Sequence, residues 1–120
     1  MHRSMMQVYI KNSDQAVEFY QNVFGAEVLI YGKHENGTIV HAEQNIFGQI
    51  FAFCETPETE AVTGNTMQFC LDFGAGEEEL VREIIEKLGD GGKLTYHDVD
   101  WSSIMADITD KYGVRWCIFV

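Results

Sequence analysis

One proline, three cysteines and eight Lys or Arg residues are all that this 120-residue chain holds of those types. Each scarcity closes off a class. With Pro57 alone there is no proline-rich recognition stretch. Cys54, Cys70 and Cys117 are odd in number, widely spaced and set in apolar segments, which is not a disulfide framework. Without a CxxC or a Cys/His cluster they do not suggest structural zinc either, and they fit a reducing compartment. Against nineteen Asp and Glu the basic residues leave a net charge of −11, with the excess in both halves rather than in a tail. Such a surface repels nucleic-acid phosphates and anionic membranes and mildly attracts cationic ligands. No apolar window approaches membrane-spanning length, and Met1 to Met6 enters a strand without a signal-type apolar run, so a soluble, cytoplasmic protein is expected. What is plentiful is hydrophobic residue, 46% of the chain, enough for one globular domain with a real core.

The chain runs through one plan twice. A strand precedes Asp14-Gln15-Ala16-Val17-Glu18-Phe19-Tyr20, then come Phe24-Gly25-Ala26, a hairpin and Gly48. In the second half a strand precedes Glu77-Glu78-Glu79-Leu80-Val81, followed by Leu88, Gly91-Gly92, a hairpin and Gly113. The offset from Gly25 to Gly92 nearly equals that from Gly48 to Gly113, as in a duplicated unit whose halves cannot bury their apolar faces alone.

Local patterns fill in the elements. Met6 to Lys11 alternates as a strand, with Val8 and Ile10 on one face. Asn12-Ser13-Asp14 supplies a helix N-cap, Ala16, Val17, Tyr20, Val23 and Phe24 form the apolar stripe, and Gly25 stops the helix. Strands near 27–32 and 38–44 flank Glu35-Asn36-Gly37, a hairpin signal, and Ile50 to Cys54 is a fourth strand. Residues 55–65 read as a linker between unit one, 1–54, and unit two, 66–120. In unit two, Thr66 to Phe73 alternates as a strand, and Glu77 to Leu88 is an amphipathic helix with Leu80, Ile84, Ile85 and Leu88 on its stripe. Its three leading glutamates suit the helix dipole. Strands near 93–98, 103–109 and 115–120 complete the unit. Each half is therefore strand-helix-strand-strand-strand, an α+β fold.

The motifs Ala16-Val17-Glu18-Phe19-Tyr20, Phe24-Gly25-Ala26, His41-Ala42-Glu43, Trp101 and Asp110-Lys111-Tyr112-Gly113-Val114-Arg115-Trp116, in two βαβββ units, resemble the vicinal oxygen chelate superfamily. The resemblance is strongest to its PhnB-like, glyoxalase/bleomycin-resistance-type branch and covers nearly the whole chain. It implies a single domain in which two tandem βαβββ units form a curled eight-stranded mixed sheet around a concave cleft, with the helices on the convex side. It also implies a homodimer and, in the family's enzymes, a divalent metal held by His or Glu at four strand positions. Carried onto this sequence by motif, those positions are Gln7, Ala52, Gln68 and Cys117. Amides, an alanine and one thiol are a poor donor set for zinc, iron or nickel. A catalytic metal is therefore disfavoured as a cofactor.

Strand alternation supplies an independent argument. If Val8/Ile10, Phe51/Phe53, Phe69/Leu71 and Trp116/Ile118 face the helices, then Gln7/Tyr9, Ala52/Cys54, Gln68/Cys70 and Cys117/Phe119 face the other way. The expected ligand pocket is Gln7, Tyr9, His41, Ala52, Cys54, Gln68, Cys70, Trp101 and Cys117, with no catalytic residue assigned. Tyr9 and Trp101 would stack on a planar or cationic ligand. Gln7 and Gln68 either orient a polar group or pair with each other. His41 is a proton carrier or a hydrogen-bonded structural histidine, and Cys117 a nucleophile or a small buried hydrophobe. His97 with Asp98 and Asp100 would bind a metal weakly.

The expected function is metal-free binding of a small molecule, in the manner of family members that sequester bulky cationic drugs, so that a cationic or aromatic ligand is the expected partner. The alternative is a metal-dependent lyase, isomerase or dioxygenase of the glyoxalase type, with His41, Glu43 or Glu55 replacing the missing ligands. A methyltransferase label also travels with the family, but no Gly-rich nucleotide loop follows a parallel strand here.

Overall fold

Alternating apolar residues in short runs, each broken by a glycine or a polar turn, dictate strands that bury one face under an amphipathic helix. The computed structural model describes residues 1–120 and divides them into two compact units, Met1–Ala61 and Val62–Val120. The division falls inside the 55–65 segment.

The first unit contains β1 (Met6–Ile10), α1 (Ser13–Phe24), β2 (Val28–Lys33), β3 (Ile39–Ile46) and β4 (Gln49–Glu55). The second contains β5 (Phe69–Asp72), α2 (Glu78–Gly89), β6 (Lys93–Tyr96), β7 (Met105–Thr109) and β8 (Arg115–Phe119). The eight strands form two hydrogen-bonded sheets of four, in the orders β1-β4-β3-β2 and β5-β8-β7-β6. In each, the first strand pairs in parallel with the last and the remaining pairings are antiparallel. The strand-helix-strand-strand-strand plan is thus realised twice.

In the first unit the expected stripe of α1, Ala16, Val17, Tyr20, Val23 and Phe24, is buried against the sheet. Tyr20 stacks on Phe53 with centroids 4.7 Å apart, and Phe53 stacks on Phe51. Gly25 ends the helix at φ 66, the left-handed conformation that glycine adopts without steric penalty. The helix start differs from expectation. Asn12 is itself left-handed, at φ 56, and makes no side-chain capping bond. The cap comes from β4: Glu55 Oε1 accepts from the Ser13 backbone N–H at 2.9 Å and from its hydroxyl at 2.8 Å. Ser13 Oγ in turn accepts from Ile39 N–H. Glu55 is thereby committed to the helix side of the sheet and is unavailable as a replacement metal ligand.

In the second unit the buried stripe of α2 is Val81, Ile84, Ile85 and Leu88, with Val81 in the place expected for Leu80. β5 is shorter than the run that alternates in sequence, beginning at Phe69 rather than Thr66. The core centres on Trp116, fully buried, whose indole N–H donates to Asp110 Oδ2 at 2.9 Å. Asp110 Oδ1 accepts the backbone N–H groups of Tyr112 and Val114. One buried carboxylate thus closes the β7–β8 turn and anchors the largest core side chain. In the first unit Asn45, equally three residues before the turn glycine, caps Gly48 N–H at 2.7 Å.

Asp110→Ala is expected to lower unfolding free energy by about 3 kcal/mol or more, since it strands three donors, two of them buried. Asp110→Asn should lose less. Urea midpoints at constant denaturant slope measure both.

Candidate functional site

Because each sheet has one helix, its opposite face depends on other groups for cover. In the first unit that face carries Gln7, Ala52, Glu43 and Leu29 as one cross-strand row, set by the registers Gln7↔Ala52, Glu43↔Ala52 and Leu29↔Glu43. Tyr9 and Cys54 form the adjacent pair. The alternation inferred from sequence therefore holds for Gln7, Tyr9, Ala52 and Cys54. Ala52 is fully buried and Cys54 nearly so, while Tyr9 is exposed.

Glu43 organises this face. Arg3 folds over it with two parallel bonds, Nη1 to Oε1 at 2.7 Å and Nη2 to Oε2 at 2.9 Å. His41 Nε2 meets Oε2 at 2.8 Å. Bonding to Arg3 first, then to His41, holds the Glu43 carboxyl down at about 2. His41 is also in long contact, 3.9 Å, between Nδ1 and Cys54 Sγ, and lies 5.4 Å from the Tyr31 ring. Burial pushes the Cys54 thiol up, so it stays an S–H donor rather than a thiolate. Gln7 donates to Tyr9 Oη at 2.6 Å.

The second unit repeats the arrangement with other residues. The row is Cys70, Cys117, Asp107 and Thr95. Gln68 donates to Asp107 Oδ1 at 2.8 Å and to the Trp116 carbonyl at 3.3 Å. His97 Nε2 meets Asp107 Oδ2 at 2.7 Å. Burial, then Cys70 and Asp107 alongside, push the Cys117 thiol up to about 12. Trp101 is exposed and packs edge-on against Phe119, with centroids 5.3 Å apart.

Each unit thus presents one histidine–carboxylate pair, His41–Glu43 and His97–Asp107. The carboxylates are equivalent: Glu43 lies opposite Ala52 and Asp107 opposite Cys117 across the β3–β4 and β7–β8 ladders. His97, read in sequence with Asp98 and Asp100 as a weak metal-binding trio, bonds Asp107 of β7. Asp107 and Arg3 escape a reading of sequence alone. The β3–β4 turn is a tight one, with both Phe47 and Gly48 at positive φ, whereas the β7–β8 turn is longer. Counting back from Gly113 as from Gly48 lands on Ile108, one residue off, which lies on the opposite face.

The donor set does not suit a catalytic divalent metal. Ala52 offers no ligand atom, Gln7 and Gln68 are engaged within the protein, and Cys117 is held as a neutral thiol. No group of three or more His, Cys, Asp or Glu side chains converges to hold an ion. No helix is long and apolar enough to cross a membrane.

No family model and no curated protein matches the sequence. Solved structures do resemble it. A PhnB protein from Bacillus cereus is 20% identical with a TM-score of 0.82, covering 98% of each chain. The fosfomycin resistance protein FosX from Listeria monocytogenes, complexed with Mn(II) and 1S,2S-dihydroxypropylphosphonic acid, is 14% identical with a TM-score of 0.73, covering 98% of this chain and 90% of that one. TioX from Micromonospora sp. ML1 is 22% identical with a TM-score of 0.65, covering 98% and 94%. The chain therefore has the tandem βαβββ fold of the vicinal oxygen chelate superfamily. At these identities the likeness establishes the fold, which hosts several chemistries.

Two outcomes follow from the geometry. Because the folded Glu43 carboxyl titrates at about 2 against an ordinary 4.5, its stabilising contribution is complete above the ordinary value and is lost as pH falls toward the lower one. The stability difference between wild type and Glu43→Gln should hence be largest above that window and shrink through it, as read by urea unfolding at stepped pH. Iodoacetamide at mildly alkaline pH should alkylate exposed Cys70 well ahead of buried Cys54 and Cys117, as peptide mapping by mass spectrometry would show.

Proposed function

We propose that this protein binds a planar aromatic, positively charged small molecule on the helix-free faces of its sheets, and does so without a resident catalytic metal. The observation that carries the reading is the exposure of Tyr9, Tyr31 and Trp101 beside ordered polar groups. Apolar surface of this kind on a sheet face is typical of ligand sites rather than of bare solvent-facing sheet. An aromatic ring attracts a cation through its quadrupole without needing a free carboxylate. That matters here, because Glu43 is compensated by Arg3 and Asp107 is engaged by His97 and Gln68. Gln7, His41 and Cys54 supply the polar and polarisable groups of the first unit's face, and Gln68, Cys70 and Cys117 those of the second unit's face. Pairing of two copies belongs to the same reading: edge strand β2 bares Leu29, Ile30 and Tyr31, and an apolar strand edge calls for cover.

Proflavine, a planar aromatic cation, serves as the probe. It should quench tryptophan emission saturably, since Trp101 is exposed while Trp116 is buried. Trp101→Phe should abolish the quenching, which reports on the second unit's face, and Tyr9→Ala should weaken binding at the first unit's face about tenfold, as read by calorimetry. Absence of saturable binding by calorimetry, together with stoichiometric Mn, Zn, Fe or Ni in protein purified without chelator, would overturn the proposal.

A further inference from the structure

We infer that the second unit carries a separate site for a small, multiply charged oxyanion, such as a phosphate ester or a polycarboxylate. It lies at the end of the sheet where the turn after α2 meets the β7–β8 turn. There a groove of about 630 Å³ is lined by Gly91, Gly92, Lys93, Thr109, Lys111 and Arg115, with Thr63 and Gly113 at its rim. That volume falls in the range of small-ligand sites, about 300–1,000 Å³.

The charge distribution is what singles it out. Eight Lys and Arg serve a chain of net charge −11, yet three of the eight line this one groove. The ladder sets two of them in a row: Lys93 pairs with Thr109 and Thr109 with Arg115. With strands about 4.8 Å apart, Lys93 and Arg115 flank the Thr109 hydroxyl at a spacing of about 10 Å between backbones. Neither forms an ion pair within the chain; Arg115 Nη1 donates only to the Met67 carbonyl, at 3.0 Å. By contrast Arg3, Lys11 and Lys87 each have a carboxylate partner. The single acidic residue lining the groove, Asp110, turns both oxygens inward to Trp116 and the turn amides. The groove therefore presents the cations of Lys93 and Arg115, which have no ion-pair partner, with the Lys111 ammonium beside them over the Tyr112 ring.

The glycines shape it. Gly91, at φ 76, leaves room for the Lys111 stem, whose Cδ would lie 3.3 Å from a Cβ placed there. A side chain at Gly92 would collide with the Thr109 carbonyl. Thr63 Oγ1 donates to the Gly113 carbonyl at 2.9 Å and fixes the rim. The Gly92 and Gly113 amides are spent on the Gly89 and Asp110 carbonyls, so side-chain cations, with the Thr109 hydroxyl, do the recognising. Surface charge elsewhere repels anions, and screening over about 8–10 Å confines attraction to this groove.

The site is independent of the aromatic binding reading. Its test is titration of the intact ¹⁵N-labelled protein at low salt with inorganic pyrophosphate, and in parallel with citrate, which separates phosphate from carboxylate preference. Saturable amide shifts clustered at Gly91, Gly92, Lys93, Lys111 and Gly113 are expected, weakening as salt is raised. Lys93→Ala/Lys111→Ala alters two exposed side chains and should weaken binding about tenfold or more. Arg115→Gln provides a second variant, and unchanged amide positions elsewhere certify either fold. Shifts that are absent, scattered over the surface, or undiminished in both variants would overturn the inference.

Discussion

Everything distinctive about this protein depends on a shortage of helices. Four strands with one amphipathic helix bury one sheet face and leave the second to whatever the chain can lay across it. The buried faces are conventional, built on Tyr20, Phe51 and Phe53 in one unit and on Trp116 with the α2 stripe in the other. The opposite faces are where charged, thiol and phenolic groups collect. They collect there because alternation sends every second residue to that side, and no second layer of helix within the unit forbids polar side chains.

Once placed there, the carboxylates need partners, since a buried charge without hydrogen bonds is strongly disfavoured. The two units answer differently. Glu43 draws in a remote cation, Arg3, from the segment before β1, whereas Asp107 relies on Gln68, just before β5, and His97, just after β6. Glu43 is buried and Asp107 is not, which matches the stronger compensation given to the former. A histidine joins each carboxylate, His41 at Glu43 and His97 at Asp107.

Much of the architecture was legible before any coordinates. The duplicated glycine spacing, the α1 stripe and the sidedness of Gln7, Tyr9, Ala52, Cys54 and Cys117 all rest on periodicity, which local physics imposes on sequence. What stayed hidden rests on distance along the chain. The cap of α1 is supplied by Glu55 from three elements away, whereas Asn12 stands in the place where a local cap is expected. Nothing local to Arg3 announces its bond to Glu43. Sequence proximity groups His97 with Asp98 and Asp100, whereas the carboxylate that it bonds, Asp107, comes from another strand. Asp107 was masked by one extra residue in a turn, enough to reverse faces in a strand.

Of the four strand positions that the family resemblance singles out, three hold side chains with structural duties and the fourth holds alanine. Gln68 ties β5 to β7 and β8, Gln7 braces Tyr9, and Cys117 fills a buried position beside Cys70 as a neutral thiol. Ala52 is the telling one. It sits directly across the ladder from Glu43, fully buried under the region that Arg3 and Glu43 occupy. A carboxylate or imidazole there would meet the Glu43–Arg3 pair at cross-strand distance, about 5 Å between Cβ atoms, and would have to dislodge it to reach an ion. The missing donor at Ala52 and the Arg3–Glu43 bridge across from it are therefore one structural arrangement.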